Sequence, residues 1–221
     1  MQKRAKVWTG IGAGVVVLGV VAAVVGPGLY ADWANSNADA APSIETTATG
    51  APVEATDGTW TVGPDSFAGY RVEEVLQGND VTVTGRTEQV TGTVTVADGS
   101  LTAADIEVDM ASIATDEPPR DGYFRDNALQ VGTYPTATFT LTSPVELGEG
   151  VTKVALTGDL TIRDVTREVT FDAQVAASGD SVQVVGAVPV TFADYGVEAP
   201  SLGFVTVEET GSVEFDLRLA S

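Results

Sequence analysis

Three carboxylates at alternate positions, Asp105, Glu107 and Asp109, are the clearest acid–base equipment in the chain. Paired carboxylates can act as general acid and general base, and glycoside hydrolysis uses such pairs. Other chemistry is excluded by composition. There is no histidine and no cysteine, so there is no Ser-His-Asp or Cys-His nucleophile, histidine zinc site or histidine haem ligand. A metal would need oxygen ligands, as calcium or magnesium do, but no Asp-x-Asp-x-Asp-Gly loop occurs. Ile106, Val108 and Met110 interleave with the three acids, so alternation places the acids together on the wet face of a strand. A solvated surface is therefore the expectation, with no catalytic residues, no cofactor and no metal. Two arginines near Asp121 and Asp126 raise a different possibility. Arg120 and Arg125 have the forked donors that suit a phosphate or other polar headgroup. The competing reading is that they cap a helix and tie it to its surroundings. Arg163, Asp164, Thr166 and Arg167 fall at a hairpin, where turn chemistry explains them.

The elements that would position these residues are strands. Leu156 to Arg163 alternates apolar or glycine with polar residues. The same holds for Glu168 to Val175, Asp105 to Met110, and Val213 to Leu219. Period two over whole segments marks antiparallel strands with one dry and one wet face. Turn signals at Gln77-Gly78-Asn79-Asp80, Asp98-Gly99-Ser100, Gly148-Glu149-Gly150 and Ser178-Gly179-Asp180 separate about eight strands. Only Pro119 to Val131 breaks the pattern, and it suits a short helix or two.

Strands with one wet face must stack as a sandwich or close as a barrel. An eight-stranded barrel holds side chains or one elongated apolar ligand. Small residues expected on the dry face, Gly69, Gly92, Gly158, Ala173 and Gly186, would leave a tunnel in a barrel. The same glycines would serve as bulges and bends in a sandwich. The alternation itself is compatible with both. For a barrel, the expected lining is Phe67, Tyr70, Val72, Val83, Phe124, Leu129, Phe139, Leu160, Phe171, Phe192 and Phe215.

The amino-terminal region sets the compartment. Lys3, Arg4 and Lys6 precede residues 7–30, and from Lys6 to Asp32 the one ionisable side chain is Tyr30. About twenty apolar residues span a hydrocarbon core of roughly 30 Å as a helix. The basic flank, residues 1–6, holds that end in the cytoplasm. The reading is a retained single-pass anchor at the cell membrane, with everything after it outside. A cleaved secretory signal shares the basic start, but its apolar region is shorter and Ala38-Asp39-Ala40 lies far past this one. Gly10, Gly12, Gly14 and Gly19 would allow a second helix to approach, and hence a homodimer. Residues 31–57 are rich in Ala, Thr, Ser and Pro and read as a flexible tether with a span of about 25–30 Å. Residues 58–221 then form one domain. All 31 acidic residues follow the apolar segment and three of the 11 basic ones precede it. So acidic a surface repels phosphate backbones and makes nucleic acid an unsuitable partner.

Several segments, in order, resemble the YceI-like family of extracytoplasmic lipocalin-like barrels that bind polyisoprenoid lipids. They are Trp60-Thr61-Val62-Gly63-Pro64-Asp65-Ser66, Val90-Thr91-Gly92-Thr93-Val94, and Val108 to Thr115 followed by Arg120-Asp121. Tyr134-Pro135-Thr136-Ala137-Thr138-Phe139, and Gly158 to Ile162 with Val165-Thr166-Arg167, complete the series. The resemblance implies an all-β, eight-stranded antiparallel barrel with a short helical insertion and a pocket for a prenyl chain. The expected ligand is a long isoprenoid lipid, a prenyl quinone or polyprenyl phosphate. Family members often carry histidines near the second strand. This chain has Tyr70 and Arg71 there, so no headgroup contact of those histidines carries over. The alternative is a surface interaction module with a filled barrel, its acidic exterior or its Tyr195–Pro200 loop meeting a partner.

Overall fold

The computed structural model describes residues 26–44, 56–148, 150–178, 181–201 and 203–221. Eleven strands form one antiparallel sheet. They are β1 (Gly58–Val62), β2 (Phe67–Leu76), β3 (Asn79–Thr87), β4 (Val90–Ala97), β5 (Ser100–Asp109), β6 (Thr136–Leu141), β7 (Val145–Glu146), β8 (Lys153–Ile162), β9 (Val165–Ser178), β10 (Ser181–Thr191) and β11 (Val205–Ala220).

Closure makes this sheet a barrel. β1 and β2 are successive parts of one long strand, broken at residues 63–66, and β3 and β4 of another, broken at Glu88 and Gln89. β2 pairs with β3 from Leu76↔Asn79 to Ala68↔Thr87, and β1 with β4 from Thr61↔Thr93 to Gly58↔Val96. β11 is long enough to pair with both β2 (Asp216↔Phe67) and β1 (Val62↔Leu219) on one edge and with β10 on the other. The circuit of eight strands is therefore complete, and β7 is a short addition to β5. A sandwich is excluded. Two hairpins close on residue pairs with positive φ, Gln77-Gly78 (50° and 84°) and Asp98-Gly99 (51° and 71°). That is the mirror-image turn whose twist matches the flanking strands.

The expected break in alternation is a helical insertion. A 3-10 turn at Met110–Ser112 leads to α2 (Pro118–Tyr123), with prolines in its first turn, and then to a wider turn at Phe124–Ala128. Proline suits those first positions because the missing N–H has no intrahelical partner there. Leu129, Met110, Ile113 and Ala137 pack together beneath the insertion.

Part of the stretch read as a tether is structured, and residues 45–55 of it lie outside the described residues. Residues 26–37 are helical (α1), and Ala31 and Ala34 are buried against Val72, Val81 and Val83 on β2 and β3. β3 has a free edge beyond its pairing with β2, and α1 covers it: the Asn35 side chain donates to Asp80 O (2.9 Å) and accepts from Thr82 N (2.7 Å). Asp39 N donates to Thr84 Oγ1 (3.1 Å), while Arg71 and Arg86 donate to the carbonyls of Asp39 and Ala40. Alanines at i and i+3 are a small apolar stripe, which composition reads as spacer. The expected span over residues 7–30 falls mainly outside the described residues, as do Gly10, Gly12, Gly14 and Gly19. Among the described residues no helix is long and apolar enough to cross a membrane.

Candidate functional site

The barrel encloses a cavity of about 820 Å³ whose wall runs from Thr56, Leu147 and Val151 near one end to Tyr30, Tyr123 and Phe204 at the end carrying α1 and α2. Such a volume is in the range of roughly 300–1,000 Å³ typical of small-molecule sites. Its wall is almost wholly apolar, built from the inward-facing residues of every long strand, among them Val94, Ile106, Leu156, Val188, Val213 and Leu217. A filled barrel is not what the fold contains.

Glycines explain why the aromatic rings of the barrel wall do not plug the interior. At several inward positions a β-carbon would collide with a large side chain reaching over from a neighbouring strand. Gly158 would meet the Phe139 ring at 2.4 Å, Gly85 the Tyr70 ring at 2.5 Å and Gly186 the Phe215 ring at 2.6 Å, while Gly211 would meet Arg71 O at 2.7 Å and then the Phe192 ring of the following turn at 2.9 Å. Each ring thus takes the space of an absent side chain and lies along the wall. Small residues opposite large ones keep the centre open, as the tunnel expectation required. Gly69 differs. Its missing side chain points at Gly85 O on β3, so it permits close strand approach and is not one of these seats.

Ten of the eleven expected lining residues face this cavity: Tyr70, Val72, Val83, Phe124, Leu129, Phe139, Leu160, Phe171, Phe192 and Phe215. Phe139, Phe171 and Phe215 stack edge to face, with centroids 5.4 and 5.8 Å apart, and Tyr70 stacks on Phe124 at 4.9 Å. Phe67 is the exception. Its odd position puts it on the outer face, where the Arg86 guanidinium lies 4.3 Å over its ring. The even-numbered positions face inward on both sides of the break at residues 63–66, from Trp60 to Tyr70 and Val72, so Phe67 and Tyr70 could not both line the wall.

Polar lining groups gather at the end carrying α1 and α2. Arg120 lines the cavity and ties the insertion to the barrel, its guanidinium 3.6 Å from Glu74 and 2.8 Å from Asp116. Tyr30 of α1 also reaches Arg120. Burial opposes the charge on Arg120, but Glu74 and Asp116 outweigh it and raise its pKa. Burial likewise pushes Glu74 above the ordinary carboxylate range, against the pull of Arg120, and raises the Tyr70 hydroxyl strongly. Asp121 is buried and accepts from Thr115 N (2.9 Å) and Thr115 Oγ1 (2.7 Å), which anchors the start of α2. Arg125 is absent from the cavity wall. Arg71 points outward to Glu214 at 2.6 Å, so of the two residues at the second-strand position Tyr70 alone faces inward.

The remaining candidates are accounted for structurally. Asp105, Glu107 and Asp109 are exposed on the outer face. Asp105 accepts from Thr140 Oγ1 (3.1 Å) and Asp109 caps the turn that follows. Arg167 Nε donates to Asp194 O (3.0 Å), and Arg163 lies over Tyr134 and donates to Gly196 O. Both clip the turn at Phe192–Tyr195 to the β8–β9 end. The loop after that turn, Val197 to Pro200, lines the mouth.

Tyr30, Glu74, Tyr123 and Phe204 line the cavity and are not among the expected residues. Glu74 shares its face of β2 with Tyr70 and Val72, so strand parity would have revealed it. Tyr30 sits inside the segment read as membrane anchor, which hid it.

Comparison with known proteins agrees with this architecture. A polyisoprenoid binding domain from Saccharophagus degradans implicated in plant cell wall breakdown superposes with a TM-score of 0.58 at 22% identity, covering 75% of this chain and 99% of that one. Burkholderia cenocepacia BcnA gives 0.55 at 22% identity over 69% and 96% of the two chains. Likeness at that identity speaks for the fold. Protein YceI from Escherichia coli O157:H7 and from Shigella boydii is 39% identical over 70 residues, 31% of this chain and 35% of the relative's length. The match thus spans about a third of those relatives. The model of the YceI-like domain matches residues 60–219, from the first strand of the barrel to the last, and the chain belongs to the YceI-like family.

Proposed function

We propose that this chain is a membrane-tethered, extracytoplasmic binding protein that holds the tail of one long isoprenoid lipid in its barrel. The observation that carries the reading is the 820 Å³ apolar cavity, kept clear by glycine-seated rings. The structural likeness to a polyisoprenoid binding domain supports it. Energy is adequate. A tail burying about twenty carbons contributes roughly 16 kcal/mol gross, against about 4–15 kcal/mol for association. The tether itself rests on the basic and apolar sequence of residues 1–30.

Of the two headgroups considered, the mouth favours a prenyl quinone over a polyprenyl phosphate. Arg120, the cation of the mouth, already faces the carboxylates of Glu74 and Asp116. A phosphate arriving there meets a net negative neighbourhood and must displace one of them, whereas a neutral ring with carbonyl acceptors needs no such displacement. Nothing at the site calls for catalysis, and binding is the activity proposed.

The test is titration of the delipidated chain with a prenyl quinone, a polyprenol and a polyprenyl phosphate of matched tail length. Uptake of all three, tightest for the quinone, is expected. Failure of all three contradicts the lipid reading, and preference for the phosphate contradicts the headgroup assignment alone.

A further inference from the structure

Among the described residues the large apolar side chains left exposed are Leu29 (65%), Trp33 (49%), Tyr123 (39%) and Phe204 (56%). They are far apart in sequence, yet they share one end of the barrel. Tyr123 and Phe204 are exposed and also line the cavity, which places both at its rim. Trp33 stands beside Tyr30, another lining residue, with ring centroids 5.8 Å apart. Leu29 lies one turn from Trp33 on the same face of α1. Its neighbour Gly28 approaches Asn79 at the β2–β3 turn, and Gln77 N in that turn donates to Phe204 O (2.9 Å). Clustered exposed apolar side chains of this kind mark an interaction surface.

We infer that this rim seats on a lipid bilayer, so that the cavity mouth faces the membrane directly; the inference rests on the tethered reading above. The occupant follows from where the rest of the chain lies. Residues 7–25, uncharged and apolar but for Thr9, lead directly into α1 at Gly26. α1 is docked on β2 and β3, so an anchor that enters a bilayer brings the rim within one helical turn of its surface. Tryptophan, tyrosine and phenylalanine are the side chains that suit the membrane–water interface. The net charge of −20 opposes adsorption to anionic lipid, so the contact is apolar and expected to persist on zwitterionic vesicles and at high salt. A tail would then pass from bilayer to barrel without crossing water.

The absence of cysteine makes the test direct. Trp33→Cys, Tyr123→Cys and Phe204→Cys in the full chain, with Ser221→Cys at the opposite end, are labelled singly with an environment-sensitive fluorophore and reconstituted into phosphatidylcholine vesicles. Flotation and far-UV circular dichroism select held, folded protein, and three rim positions keep the readout available if one variant misfolds. Blue-shifted, severalfold brighter emission at the rim, quenched by spin-labelled lipid, with Ser221→Cys unchanged, is expected. Rim labels as water-exposed as the one at 221, as a protein partner for this surface would leave them, overturn the inference. So does failure of the wild-type chain to float. Prenyl-lipid uptake is read separately in detergent, so loss of uptake with rim contact retained counts against the lipid reading alone.

Discussion

The Phe215 ring covers Gly186, its direct register partner on β10, with Cζ 2.6 Å from where a β-carbon would stand. The pairing is steric and mutual. Without the glycine the ring must rotate off the wall, and inward is toward the lumen. Phe139 covers Gly158 diagonally, the register partner of Gly158 being Leu141. Cavity volume is thus encoded by glycine positions as much as by the size of the lining residues.

Gly186→Val is expected to lower stability by about 1–3 kcal/mol through overpacking. Urea denaturation should show a lower midpoint with an unchanged m-value. A variant as stable as wild type would mean that the Phe215 ring has another place to lie.

Neutralising the partners of Arg120 should change headgroup preference. Glu74→Gln combined with Asp116→Asn leaves the guanidinium without either carboxylate, and polyprenyl phosphate affinity is expected to rise about tenfold, equivalent to roughly 1.4 kcal/mol. Polyprenol affinity should stay within a factor of two or so, since the tail contacts are untouched. Equal changes for both lipids would remove Arg120 from headgroup recognition.

Asn35→Ala removes both hydrogen bonds that hold α1 to the β3 edge. The expected loss is about 1–3 kcal/mol of local docking free energy. In hydrogen exchange the amides of residues 26–37 and of Thr82 should lose protection while β8 and β9 keep theirs. Unchanged exchange at Thr82 would show that apolar contact at Ala31 and Ala34 alone holds the helix.

Asp216 supplies a pH dependence of known sign. Burial raises its pKa, and neighbouring Arg218 and the Gln183 hydrogen bond (2.8 Å) only partly oppose this. A carboxyl whose folded value exceeds its unfolded value favours folding in its protonated form. That contribution is complete below the ordinary value of 3.8 and is lost as pH rises through the raised folded value. Wild type should therefore lose stability relative to Asp216→Asn as pH rises from about 3 to about 8. Parallel profiles would assign the carboxyl an unshifted pKa.

Most of the barrel was legible because period-two alternation is a direct readout of strand faces. Tyr70, Val72, Val83, Phe139, Leu160, Phe171 and Phe215 sit on strands and are lining positions of this kind, whereas Phe124 and Leu129 lie in the helical insertion, where alternation says nothing. Phe67 is not one: it lies three residues from Tyr70, so the two fall on opposite faces of one strand, and an aromatic side chain was given more weight than its position. Closure was not legible from alternation: it depends on β11 pairing with β1, β2 and β10 at once, which is long-range register. α1 was missed because a stripe of two alanines carries little hydropathy, and because its docking depends on a free strand edge that composition does not reveal. Glu74 was readable by parity, but its acidity argued for the surface.

The central claim is that the glycine-seated lumen takes up one prenyl tail. Native mass spectrometry of the detergent-solubilised full chain, incubated with a long-chain prenyl quinone, tests it against a lumen-filling variant, Ala104→Phe with Val154→Phe, both positions being on the cavity wall. A single bound quinone per wild-type chain and none on the folded variant is the predicted result. Wild type without lipid, or a variant that binds as wild type does, would contradict it.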